Sequence, residues 1–107
     1  MIRIAFFSSD ERLTGFSITG HSGYAEAGSD IVCAAVSSAA YMTVNTVTDV
    51  LGLSPAVEAD DDGAILLRFG TMSDADRAAD IMDGFRLHIE GLREQYPDYL
   101  TVTITEV

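Results

Sequence analysis

The sequence predicts an α+β fold, a mainly antiparallel sheet with two helices on one face, in the order ββαββαβ. Three observations carry that expectation. Two pairs of short apolar runs flank turn signals at 8–15 and at Asp62-Gly63, two long helical patterns alternate with them, and the chain closes on a run alternating at period two. At 107 residues there is room for one core, so a single domain over 1–107 is expected.

Residues 2–8, "IRIAFFS", are rich in strand formers. "SSDERLTG" reads as a turn, and "FSITGH" alternates Phe16 and Ile18 with Ser17 and Thr19, which completes a hairpin with His21 at its end. A loop with Gly23 and Gly28 follows. From about Asp30 to Leu51 the pattern is helical, and Val32, Val36, Ala39, Tyr41, Val44, Val47, Val50 and Leu51 predict burial on most sides. Ser29 or Asp30 suits the N-cap, and Gly52 with Pro55 stops the helix. Asp62-Gly63 between "AVEAD" and "AILLRF" marks a second hairpin.

A second helix opens at Ser73, with Asp76 as a capping-box variant. Ala75, Ala78, Met82, Phe85, Ile89, Leu92 and Tyr96 form its apolar stripe, His88 sits at the edge of that stripe, and Pro97 ends the helix. In "YLTVTITEV", Leu100, Val102 and Ile104 are expected to face the core.

Composition narrows the function. With 17 acidic and 6 basic residues the formal charge is −11, which argues against nucleic acid as a partner because phosphates need cationic groups. The charge either attracts a basic partner or serves solubility alone. The lone cysteine, Cys33, cannot close an intramolecular disulfide. The opening "MIRIAFFSSDERL" has too short an apolar run for a signal peptide, and "IVCAAVSSAAYMTV" is shorter than a bilayer span and broken by serines and threonine. A cytoplasmic protein without membrane contact is expected. Asp60, Asp61 and Asp62 cluster in the second hairpin turn, either solvated or holding a cation, and they lack spaced partner ligands. One cysteine and two scattered histidines also lack metal-ligand spacing.

The chemistry gathers in "GHSGYAEAGSDIVCAAVSS", residues 20–38. With Asp30 as N-cap, Cys33 lies in the first helical turn, where unpaired amides and the positive end of the macrodipole stabilise a thiolate. The same amides could hold the oxyanion of a tetrahedral intermediate. His21, across a short glycine-bearing loop, could take the thiol proton and return it to a leaving amine. Ser37 lies one turn after Cys33 on the same helix face. Asp30 either orients His21 or caps the helix. The bland alternative is a buried helix cysteine and a loop histidine with no shared task.

The run from Gly20 through Ser37, continued by Asn45, resembles the signature of the ribosomal-processing cysteine protease family of bacteria. The family pattern is Gly-His, a loop with an aromatic-Ala pair and a glycine, then Asp, two hydrophobics and Cys-Ala-small-Val-Ser. Ser22 departs from it, standing where the family has an alanine-like residue. The resemblance implies a cysteine endopeptidase with His21 as base and Cys33 as nucleophile, supported by Asp30 and Ser37. It places Gly20, Ser22, Gly23, Tyr24 and Gly28 in a substrate loop. It further implies a homodimer, no cofactor, and as substrate the N-terminal extension of a large-subunit ribosomal protein, removed during ribosome maturation. A basic ribosomal protein suits a chain of charge −11. The competing readings are a non-catalytic module that binds ribosomal protein or assembly intermediates, and a different thiol hydrolase acting on small esters.

Overall fold

The computed structural model describes residues 1–21, 23–26 and 30–107. Strands β1 (Ile2–Ser9) and β2 (Arg12–Thr19) form the first hairpin. Helix α1 (Ile31–Asn45) continues into a π-turn over Thr46–Val50, and β3 (Ala56–Ala59) and β4 (Ile65–Arg68) form the second hairpin. Helices α2 (Met72–Arg77) and α3 (Ala79–Gln95) precede β5 (Leu100–Glu106). The sheet order is β3-β4-β2-β1-β5. The β1–β2, β2–β4 and β3–β4 ladders are antiparallel, and β5 runs parallel to β1. The expected architecture holds, with one parallel edge added.

The first turn is tighter than its composition suggests. Asp10 and Glu11 both take positive φ, at 50° and 64°, which matches the right-handed twist of the strands they join. Arg12 to Gly15 therefore belong to β2, and Leu13 is buried. The register slips at Phe7/Ser8, where Phe7 pairs with Gly15 and Ser8 with Leu13. In the second hairpin only Gly63 takes positive φ, at 90°. Asp60 builds that turn: its carboxylate accepts the amides of Asp62 and Ala64 at 2.9 and 3.0 Å.

One face of the sheet is dry. Ile2, Ile4, Phe6, Phe16, Ile18, Ile65, Leu67 and Leu100 are buried with Val32, Val36, Ala40 and Val47 from α1 and its π-turn and Met82, Phe85 and Ile89 from α3. Phe6, Phe16 and Phe85 interlock at ring-centroid distances of 4.7–6.4 Å. Toward its end β5 outruns this cover: Leu100 is buried, Val102 half-buried and Ile104 exposed, against the expectation that all three face the core.

Three helical expectations need correction. The helix expected from Ser73 is two helices meeting at Ala78, its N-cap is Thr71, whose hydroxyl accepts the Asp74 amide at 3.1 Å, and Asp76 instead pairs with Arg12 at 2.9 Å. The predicted stripe nevertheless points inward from Ala75 to Ile89, while His88 is exposed rather than at its edge. Helix α1 is also not buried on most sides. Val32, Val36, Ala40, Thr43 and Val47 face inward, whereas Tyr41 is 52% and Val50 77% exposed. A two-layer chain has no third layer to cover the outer face.

Together α1 and its π-turn span 20 residues, Ile31–Val50, long and apolar enough by length and composition to cross a membrane. The π-turn carries the helix to the end expected near Leu51: the Leu51 amide reaches Thr46 O at 2.9 Å, and Gly52 at φ 68° then reverses the chain. In this fold its inner face packs against the sheet.

Candidate active site

The site is built where β2 ends and α1 begins. Asp30 is the N-cap, extended at φ −80°, ψ 102°, and its Oδ1 accepts the amides of Val32 and Cys33, each at 3.0 Å. Its carbonyl accepts the Ala34 amide at 3.1 Å. Buried Asp30 thus closes the first turn, and Cys33 sits in that turn, half-buried at the margin of the core. One sequence expectation changes. The amides of Val32 and Cys33 are taken by the Asp30 carboxylate, so they are not the donors that would receive an oxyanion.

The opposite wall comes from the strand end. Gly20 has φ 83°, and a Cβ there would lie 2.4 Å from Met1 O, so only glycine fits against the start of β1. The Met1 amino group donates to the His21 carbonyl, which ties the same two segments together. His21 itself is exposed. Gly23 follows at φ 75° with open space around it.

Between these walls lies a cavity of about 420 Å³, lined by Gly20, His21, Gly23, Ala25, Asp30, Cys33, Ala34 and Ser37. Ile2, Ile18 and Val36 supply an apolar side, and Asp62 and Gly63 reach in from the β3–β4 turn. Of the residues singled out in the sequence, His21, Cys33, Asp30, Ser37, Gly20 and Gly23 meet at this one space. Tyr24 is not part of its wall, and Ser22 and Gly28, like the alternative cap Ser29, lie outside the described residues.

The apolar side and the Asp62 turn escape sequence reading. Their placement depends on β4 lying beside β2, where Ile65 pairs with Ile18 and the turn before β4 projects past the end of β2. No local spacing encodes that adjacency. Among the described residues, no three His, Cys, Asp or Glu side chains converge to hold a metal ion.

A protein-family model described as cysteine protease Prp matches residues 1–101. This chain belongs to the Prp cysteine protease family. It is a cysteine-type peptidase, and the reading as a binding module without chemistry falls away. The ribosomal processing cysteine protease Prp of Bacillus subtilis is 31% identical over 100 residues, covering 90% of this chain and 89% of that protein. The crystal structure of SMU.848 from Streptococcus mutans superposes with a TM-score of 0.86 at 28% identity, covering 100% of this chain and 96% of that one. The essential ribosomal processing protease Prp from S. aureus, solved with a covalently linked product peptide, gives a TM-score of 0.89 at 25% identity over 98% and 100% of the two chains.

Proposed function

We propose that this chain removes the N-terminal extension of a large-subunit ribosomal protein, with Cys33 as nucleophile and His21 as base. The observation that carries the assignment of roles is that Cys33 and His21, twelve positions apart, line one cavity with an apolar side. In this reaction His21 takes the thiol proton and Sγ bonds to the scissile carbonyl carbon. The C–N bond then breaks as the proton passes to the leaving amine. Water hydrolyses the thioester and regenerates the thiol.

Asp30 supports the pair by fixing the turn that presents Cys33, and Ser37 forms the adjoining wall. Gly20, Gly23 and Ala25 bound the substrate path. The chain acts as one domain over residues 1–107, in the cytoplasm, and without a cofactor, since cysteine and histidine supply the whole of this chemistry. The formal charge of −11 favours a basic ribosomal protein and disfavours nucleic acid. It works as a homodimer; the apolar side chains that α1 and α3 leave exposed, with Met42 at 58% and Leu87 at 75%, support that reading.

The test is cleavage of a peptide spanning the junction between the extension and the mature ribosomal protein. Purified protein should release both fragments and Cys33→Ala should release neither. Full cutting by Cys33→Ala would end the assignment, and ester turnover without peptide cleavage would point to a different thiol hydrolase.

A further inference from the structure

Gly23 and Ala25 both face the cavity that holds His21 and Cys33, but the ring of Tyr24 between them is directed elsewhere. It lies edge-on against two tyrosines from the far end of the chain. Its centroid is 5.9 Å from that of Tyr96 and 5.2 Å from that of Tyr99, with interplanar angles of 76° and 83°. These are the geometries in which the positive edge of one ring meets the negative face of another.

The receiving surface is stiff. Tyr96 is the C-cap of α3, its amide bound to Leu92 O at 2.8 Å, and the Tyr99 amide returns to Tyr96 O at 3.1 Å. The Tyr99 carbonyl accepts the amide of Ile2 at 2.9 Å, and Ile2 itself lines the cavity. Both tyrosines pack against the core, whereas Tyr24 is 43% exposed. A partly exposed ring is thus seated on a fixed pair, three residues beyond His21.

We propose that Tyr96 and Tyr99 are positioning residues: by seating Tyr24 they hold the 23–26 wall, and with it His21, against the helix end that carries Cys33. The inference rests on the peptidase reading above and extends it to two residues that touch no reacting atom. It also recasts Tyr24 as an anchor of the loop rather than a contact for substrate. Each edge-on pair shifts a two-state population by about two- to tenfold.

The test is a double-mutant cycle between Tyr24→Ala and the paired change Tyr96→Ala/Tyr99→Ala, read in kcat/KM on the junction peptide and in amide exchange of residues 23–26. Each arm should lower kcat/KM by about tenfold and speed exchange of those amides by a similar factor. Combining the arms should cost no more than either alone, because both remove the same two ring contacts. Tyr→Phe at Tyr96 and Tyr99 should keep activity, since the ring contacts with Tyr24 survive that change. Tyr24 is exposed, so Tyr24→Ala gives a reading even where the paired variant is poorly folded. Unchanged exchange and activity in Tyr24→Ala, or losses that add, would overturn the proposal. If the wild type cuts no peptide but the cycle still couples in exchange, the seating stands and the peptidase roles fall. If it cuts but the cycle shows no coupling, the peptidase roles stand and the seating falls.

Discussion

Cys33 rides on the first turn of a 15-residue helix whose inner face is locked into the core, whereas His21 stands exposed beyond a strand end, held through its backbone. Cys33, the proposed nucleophile, inherits its position from the fold: Asp30 closes the turn, and Val32 and Val36 fix the rotation of the helix. His21, the proposed base, inherits its position from close contacts, Gly20 against Met1 O and the Met1 amino group on the His21 carbonyl. The turn that carries Cys33 is therefore tied to the packed core, whereas the His21 side chain can be removed while the fold stays intact.

Variants can break or sharpen this contrast. The largest effect belongs to Cys33→Ala, which should reduce peptide cleavage to background while thermal unfolding shifts little. His21→Ala should cost about 10²–10⁴-fold in kcat/KM, the usual worth of general-base help, with Tm unmoved because the side chain is exposed. A fall in Tm comparable to a core deletion would contradict this division between the two sides. Gly20→Ala attacks the backbone hold on His21. Left-handed φ alone costs a non-glycine residue about 1–2 kcal/mol, and the added Cβ must also displace Met1 O. Activity should drop together with Tm, measured by cleavage rate and thermal melts.

Asp30→Ala is expected to lower stability, though less than Gly20→Ala. Loss of an N-cap costs about 1 kcal/mol, and Asp30→Asn, which keeps an acceptor, should recover most of it. If Asp30→Asn restores Tm but not cleavage, the carboxylate charge acts on His21 in addition to capping α1.

The two helices differ in how far their sequences reveal their surroundings. Helix α3 is legible because its stripe, Ala78 to Ile89, faces one sheet and its outer side is polar, so periodicity and burial coincide. Helix α1 misleads because its apolar residues run all round while only one face finds a partner. Sequence records hydrophobicity and not the number of layers available. The break at Ala78 is hidden because the two short patterns share one stripe. At the site, Asp30 as cap and Cys33 in the first turn follow from local chemistry, whereas the Asp62 turn, Ile2 and the tyrosine seat depend on strand order. The occupation of the Val32 and Cys33 amides by Asp30 follows from the same local chemistry that makes Asp30 the cap, and it removes those amides from the catalytic groups.

The parallel pairing of β5 with β1 has a temporal consequence. Ile2 lines the cavity, and its register partner is Leu100, so the last strand buttresses that wall from outside the cavity. Tyr99, just ahead of β5, brings the seat for Tyr24 at the same moment. Contacts so distant in sequence form late and slowly, because a long loop must close before they contribute. During synthesis the residues that line the cavity, all before position 64, leave the ribosome ahead of the strand that buttresses Ile2. The wall is made first, and its support is made last.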